Sequence, residues 1–538
     1  MSDAGAIIKR LGALTSLRSP NEATWRDCFN FTFPLRGSGF QSQQLNAQSG
    51  QDKRAQLVDG TGTDSARILA SGIMSGVTPP NSLWFQLGVQ SENNDDRTWL
   101  EQAGQTTFEA IHGGNFDAAA FECMLDVVAA GWFALYVEGD QEDKTALVFE
   151  QWPLSQVYIG SSKRSGKIDI VYREFELSAE AALAEYGEEN ISEATEKLAR
   201  EKPDEMVKFV HAIYPRTAEN GYIPGSQIQM RLPVASCHLE VKSKKIVREG
   251  GYNEMPAIVA RWHKLPTSHY AIGPAFDALP DMRTLNELVT LELQNADIAV
   301  AGMWKAVDDG VLNPATIKIG ARKVIPMADI NSMEALTTGA DFNISFSLEA
   351  RLQANIRKTF MADQLQPQDG PQMTATEVHV RVGLIRQLLG PVYGRLQSEY
   401  LAPLIQRCFG ILSRAGAFPP APETLSGRSY TVRYISPLAR AQRQEEVMAM
   451  DQFENTLLAE AQEKPEVLDV YDWDEAATER AKLLGVPARL VRSQDDINQV
   501  RQARQQAQQQ QQQQAILAQG ATFAATSGGQ ALGQRMVQ

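Results

Sequence analysis

Cysteine is scarce in this chain. Four thiols, Cys28, Cys123, Cys237 and Cys408, are scattered over 538 residues, and no two form a CxxC pair. That spacing excludes a disulfide framework and implies free, mostly buried thiols in a reducing compartment. Long apolar runs are missing as well. The longest, VVAAGWFALYV at 127–137, has eleven residues, against the ~20 that a membrane-crossing helix needs. It reads as a helix end feeding a buried strand. The N-terminal MSDAGAIIKRLGALTSLRSP has no apolar h-region, so it is not read as a signal peptide, and the protein is expected to be soluble with no membrane partner. An excess of positive charge is also lacking. Lys and Arg number 51 against 65 Asp and Glu, a formal net charge of −14, so the chain has no general basic footprint of the kind a sequence-reading DNA binder shows. An acidic chain can still handle DNA by guiding the duplex rather than gripping it, because Lys and Arg contacts to phosphate are what create affinity.

Signatures of catalysis are equally thin. None of His112, His211, His238, His263, His269 and His379 belongs to an HExxH pair, and Cys237-His238 is adjacent rather than at metal-ligand spacing. No G-x-S-x-G elbow occurs. V-D-G-T-G-T at 58–63 resembles an aspartyl-phosphate loop, but only Leu57 and Val58 precede Asp59, too few for a buried strand. A turn leading into a helix capped by Thr63 or Asp64 is the expectation there. G-S-S-K-R-S-G-K at 160–167 has five residues between its glycines, where a phosphate loop needs four, and Ile168 stands where a magnesium-binding hydroxyl is required. It reads as a hairpin turn. No catalytic residue, metal or cofactor is expected.

What the chain does have is a 43% hydrophobic content, enough for a real core, and a length that suggests three or four regions at ~150 residues each. The first third is helical in pattern: Ile7, Ile8, Leu11 and Leu14 at helical spacing, a short helix at 21–31, and further helices at 63–76, 96–112 and 117–130. From Trp132 to about Arg261 the pattern turns to strands: WFALYVEG, LVFEQWPLSQVYIG, KIDIVYREFEL, VKFVHAIYPR and EMPAIVARWHK, with one helical insertion at 178–202. Leu279, Met282, Leu285, Val289, Leu293, Ala296 and Val300 then mark one long amphipathic helix. A β-rich module follows at 303–343. A second helix starts near Ser347 as N-cap, with Leu348, Leu352, Ile356 and Phe360 on one stripe.

The stretch Gln364 to Val378, QLQPQDGPQMTATEV, reads as a polar loop, and Thr374 with Glu377 forms a capping box that restarts a helix. Gly390-Pro391 should kink that helix. Ser436-Pro437 opens a further helical region. From Gln502 the chain becomes glutamine-rich, then rich in Gly, Ala and Ser; such a tail either extends a helix or stays disordered. The fold class is therefore α+β, mainly helical.

The order of these elements, together with WRDCFNFTFPLRG near the start, DGTGTDSARILASGIMSGVTPPNSLWFQL at 59–87, AIGPAFDALPDMRTLNELVTLELQNADIAVAG at 271–302 and MTATEVHVRVGLIRQLLGPVYGRLQSEYLAPLI, resembles the portal proteins of tailed bacteriophages. The likeness is to the head-to-tail connectors of T7-like podoviruses, and it covers essentially the whole chain.

The resemblance implies a portal fold: a wing (1–273), a first stem helix (274–302), a clip (303–343), a second stem helix (344–363), a tunnel loop (364–373), a kinked wing helix with a following strand (374–435), a crown (436–500) and a Gln-rich extension of the crown (501–538), barrel-like or disordered. It implies a homododecamer at one capsid vertex of the virion, made in the host cytoplasm. Double-stranded DNA would pass through its channel. Partners would be the terminase large subunit, a tail adaptor, and the major capsid and scaffold proteins.

Gln364, Gln366, Gln368, Asp369 and Gln372 would face the channel, with Thr374 and Glu377 capping the helix behind them. Arg351, Arg357 and Lys358 are candidate basic residues of the channel lining, or else a solvated face or inter-subunit ion pairs. Lys305, Asp308, Asp309, Lys318, Arg322 and Lys323 would belong to the docking surface of the clip. Twelve copies at −14 carry −168, so a duplex would meet mostly repulsion and little sticking. The rival expectations are another phage structural ring, such as a tail adaptor or scaffold, and an ATP-driven DNA translocase, which would need the phosphate loop that the spacing at 160–166 denies.

Overall fold

The computed structural model describes residues 3–40, 54, 56–88, 94–140, 143, 146–301, 304–306, 333–335, 342–365, 390–425, 431–434, 437–462, 464–484, 486, 490–492 and 496–512. The chain is α+β and mainly helical, and it divides into two compact units. One comprises 1–85, 105–419 and 434–438; the other comprises 86–104, 420–433 and 439–538.

In the first unit, helix α1 (Ala4–Thr32) runs unbroken through Pro20, where the sequence pattern suggested two helices. Proline removes only one backbone donor, and burial on both sides of it holds the helix together. Ile7, Leu11 and Leu14 are buried before it, and Trp25, Cys28 and Phe29 after it. Arg18, also buried, donates to the carbonyls of Val157 (2.9 Å) and Ser155 (2.8 Å). Helix α2 (Thr61–Val77) follows. The turn before it is helix-leading, as expected, but neither Thr63 nor Asp64 caps it: the N-cap is Gly60, and the side chain that serves the first turn is Asp59. That carboxylate accepts the Thr61 N–H at 2.9 Å, while Thr63 Oγ1 turns away to donate to the Thr32 carbonyl at 2.8 Å.

Strand β1 (Phe85–Gly88) and helix α3 (Asn94–His112) lead to α4 (Phe116–Ala130). Helix α4 ends at Gly131, whose φ of +86° is left-handed; a β-carbon there would lie 2.1 Å from the Ile272 carbonyl carbon, so only glycine fits. Strands β2 (Trp132–Gly139), β3 (Leu147–Gln151) and β9 (Ala257–Arg261) form an antiparallel sheet in the order β3-β2-β9.

The larger sheet is a meander of β4 (Val157–Gly160), β5 (Ile170–Ser178), β6 (Met206–Pro215), β7 (Val234–Glu240) and β8 (Lys245–Tyr252). The segment 160–167 is the β4–β5 hairpin turn. Side chains alternate across β6. Val210 and Ala212 join Ile7, Leu11 and Leu14 of α1 on one face. Val207 and Phe209 pack on the other against α5 (Ala179–Tyr186) and Ile191, which precedes α6 (Glu193–Glu201). Strands β7 and β8 were not legible as strands. Small residues fill β7, and β8 is a charged edge, which is how sheets protect an unpaired side. All four cysteines are free and buried.

In the second unit, β1 pairs with β14 (Thr431–Tyr434). Helices α12 (Pro437–Glu460) and α13 (Trp473–Leu484) are joined through Arg480, which bonds Glu454 and Asp451. Residues 496–512 are helical, and Arg501 forms a bidentate pair with Asp474 (2.5 and 2.6 Å). Among the described residues no helix is long and apolar enough to cross a membrane.

Candidate functional site

The site to consider is the helical hairpin of the first unit and the segment that leaves it. Two short strands, β10 (His263–Lys264) and β11 (Ala271–Ile272), pair and deliver the chain into α7 (Pro274–Ala301), 28 residues long and so about 42 Å from end to end. Its apolar stripe is buried only in its first half, at Leu279, Met282 and Leu285. That half is tied to the body. Arg283 pairs with Asp27 of α1 at 2.5 Å, and Asn286 accepts the Val58 N–H at 2.9 Å and donates to the Gln56 carbonyl at 3.3 Å. Helix α2 lies so close that a β-carbon on Gly62 would stand 2.5 Å from the Met282 sulfur.

Beyond Leu285 the burial fades. Val289 is half-buried, Leu291 is 50% exposed and Leu293 is 55% exposed. The chain continues through β12 (Trp304–Ala306), which pairs antiparallel with β13 (Met333–Ala335). Lys305 is the middle residue of β12, in register with Glu334. Asp308, Asp309, Lys318, Arg322 and Lys323 lie outside the described residues.

Helix α8 (Phe342–Thr359) returns along α7. It begins five residues before the Ser347 cap expected from the sequence, so Ser347 is internal. Packing overrides the local signal here: Ser345 is bonded to Glu292 of α7 within the first turn. Leu352, Ile356 and Phe360 form the buried stripe, as their spacing predicts. Gln353 bonds Asp59 (3.4 Å) and Glu349 (2.9 Å), which links α8 to the turn before α2. The Glu349 carboxyl is pushed up, first by burial and then by the nearby Glu292 and Asp59.

Arg351, Arg357 and Lys358 are all exposed on α8, and none makes an ion pair with another described residue. They do not form one cluster. Arg357 alone faces a cleft of about 430 Å³, shared with Gly60, Thr61, Asp64, Ser65, Ile68 and Ala362.

The chain then turns at Met361, whose φ of +55° is rare outside glycine. A further helical turn, α9 (Ala362–Leu365), carries the exposed Gln364. Leu365 packs on α2, where a β-carbon on Gly72 would sit 2.8 Å from its Cδ2. Nothing in the sequence marked Met361 or Leu365 as the root of the following segment, because Leu365 is seated by a helix some 290 residues away. Gln366, Gln368, Asp369, Gln372, Thr374 and Glu377 lie outside the described residues.

Past them, α10 (Gly390–Leu396) and α11 (Ala402–Ala415) are joined by a π-helical turn at Gln397–Leu401. The turn presents Glu399 to Arg261, with contacts of 2.6 and 3.0 Å. Among the described residues there is no group of three or more His, Cys, Asp or Glu placed to hold a metal ion.

Comparison with known proteins gives this hairpin its context. The family described as "Bacteriophage head to tail connecting protein" matches residues 4–491. A probable portal protein of Bordetella phage BPP-1 is 27% identical over 97% of this chain and 95% of its own length. The portal protein of Salmonella phage epsilon15 is 27% identical over 92% and 90%, and that of Escherichia phage T7 is 23% identical over 76% and 74%. With the match spanning nine-tenths of its length, the chain belongs to the bacteriophage head-to-tail connecting protein family.

Proposed function

We propose that this protein is the portal of a tailed phage, a virion component in which twelve copies surround an axial channel for double-stranded DNA. In this reading α7 and α8 form the stem, the β12–β13 module is the clip that meets the packaging motor and later the tail adaptor, and the segment after Leu365 is the tunnel loop. Capsid and scaffold proteins contact the wing. The protein acts structurally rather than as a catalyst.

The observation that carries the reading is the uncovered half-stripe of the hairpin. Leu291, Leu293 and the 56% exposed Phe346 stand exposed on the α7–α8 hairpin, past the part of α7 that is buried against the body. Apolar stripes of this kind are buried when copies stand side by side. The net charge of −14 per chain suits a channel that repels phosphate and lets a duplex slide. Arg351, Arg357 and Lys358 would supply brief phosphate contacts within it.

Projection images of the purified protein test the reading. A mushroom-shaped ring with an axial hole is expected, and a solid particle or a persistent monomer would refute it. A second check is ATP hydrolysis, which the translocase alternative requires and which a portal lacks.

A further inference from the structure

The β4–β5 hairpin turn gathers positive charge in a chain that is acidic overall. Lys163, Arg164 and Lys167 are exposed on it, and His263 and Lys264 are exposed on the adjoining strand β10. The Lys264 ammonium stands directly over Gly166, where a β-carbon would be 2.5 Å from it. Lys163, Arg164, Lys167 and Lys264 make no ion pair with a described residue.

The acids within reach are already engaged. Asp169 accepts from the Ser162 N–H (2.8 Å) and hydroxyl (2.5 Å). Glu399 is held by Arg261. Arg261 itself is buried and staples the two loops together, donating to the carbonyls of Gly166 (3.1 Å) and His269 (3.0 Å). Ser161 closes the turn from inside: its hydroxyl donates to the Lys167 carbonyl (2.7 Å) and accepts the Lys163 N–H (3.1 Å). The backbone of the patch is thus fixed by its own hydrogen bonds while its four cationic ends are left unpaired. His269 reports the resulting field: its pKa is lowered, first by burial and then by Arg261, Lys264 and Arg10, with only Asp169 opposing.

The chemistry of the patch selects its partner. Protein interfaces centre on aromatic and aliphatic anchors, and no large apolar side chain is exposed within 161–169 or 263–269. Exposed Lys, Arg, Ser and Thr (Ser162, Ser165 and Thr267 complete the set) are instead the residues that contact a nucleic-acid backbone without reading sequence. We propose that this patch binds the phosphates of duplex DNA from the side, as a site that needs no threading through a channel. The inference rests on the reading that the protein works on double-stranded DNA. It departs from that reading in placing a contact on one exposed loop pair, complete within a single chain.

A covalently closed circular plasmid separates the two modes, since a circle cannot thread a preformed ring. Binding of the full-length protein to relaxed closed circles is measured by filter retention between 50 and 200 mM NaCl, beside the linear form of the same plasmid. Four phosphate contacts give a slope of log K against log salt of about −3.6, or a loss of about 150-fold over that range. The variant K163Q/R164Q/K167Q/K264Q should lose circle binding and flatten the slope by about 3.6. The control K242Q/K244Q, at the opposite end of the same sheet, should leave both unchanged.

Linear binding without circle binding by the wild type would overturn the proposal. So would equal losses in the two variants, or capture of polyglutamate in place of plasmid, which would point to an acidic protein partner. A failure of the portal reading would show separately, as the absence of rings in projection images.

Discussion

His211 and His238 provide a quantitative test of how the five-stranded sheet is held. They are directly paired across β6 and β7, with ring centroids 4.0 Å apart and planes 22° from parallel. His211 shares a hydrogen bond with the Ser236 hydroxyl (2.9 Å), and His238 Nδ1 with the Tyr186 hydroxyl (3.0 Å). Trp152 and Tyr136 close over His211. A proton on either ring would be a buried charge beside a second ring and two guanidiniums. Burial, then His238, Arg173 and Arg248, push His211 well below its ordinary value. Burial, then Arg248 and Arg173, lower His238 to about 3.

The unfolded chain takes up these protons near pH 6.5 while the folded chain refuses them, so stability is complete above that pH and declines as pH falls toward 3. Between pH 7.5 and 5.0 each histidine should remove about 2 kcal/mol, and the pair about 4 kcal/mol. Urea unfolding at fixed protein concentration, followed by tryptophan fluorescence at the two pH values, measures the loss. The variant H211Q/H238N keeps an amide near each hydrogen-bonding nitrogen and cannot titrate. Its stability at pH 7.5 is immaterial, since only the difference between the two pH values counts. That difference should shrink by about 4 kcal/mol relative to wild type, and His112 and His269, present in both proteins, cancel. Equal pH dependence in the two proteins would refute the reasoning.

Three further outcomes are expected. Glu254 holds the buried Arg407 at 3.2 Å and the more exposed Arg414 at 2.7 Å; Glu254→Ala strands a buried guanidinium and should cost about 3 kcal/mol in urea midpoint measurements. The pair L291E/L293E should shift the protein from rings toward monomers in analytical ultracentrifugation, with circular dichroism unchanged because neither side chain is buried within its own chain. Deleting 366–372 should leave rings intact yet impair late packaging or DNA retention, and loss of assembly would count against the tunnel-loop assignment.

The stretches that could be read from sequence are those whose pattern and environment agree. Leu279, Met282 and Leu285, or Leu352, Ile356 and Phe360, repeat at the helical period and are buried for that reason. Strands β5 and β6 are rich in β-branched and aromatic residues and were legible as strands. Strands β7 and β8 were not, because Ala235, Ser236 and Cys237 carry little β signal and an edge strand is charged by necessity. The links that fix the candidate site were invisible. Arg261 reaches Glu399 and Arg407 reaches Glu254 across more than 130 residues. The stacking of His211 on His238 depends on sheet register, which no local pattern encodes. Residue spacing marked the two helices of the hairpin, but it could not have found the Met361 turn or the seat of Leu365 on Gly72.

The exposed end of the hairpin also sets a limit on how a ring would hold together. Covering Leu291, Leu293 and Phe346 to core level would remove about 90 Å² of apolar surface each, or roughly 2 kcal/mol per residue at ~25 cal/mol per Å². The sum, about 6–7 kcal/mol per subunit, falls within the ~4–15 kcal/mol lost in translational and rotational freedom on association. These three side chains alone would leave little surplus, so in the proposed ring other surfaces of each copy would contribute. Where such a belt adds a minority of the binding, substituting it weakens assembly without abolishing it, and excess protein restores the ring. A stem held mainly by surfaces elsewhere is also free to tilt or slide against its neighbours. That freedom would suit the proposed channel, whose helices would surround a moving duplex without seizing it, and it follows from a stripe whose pattern continues after its own chain stops burying it.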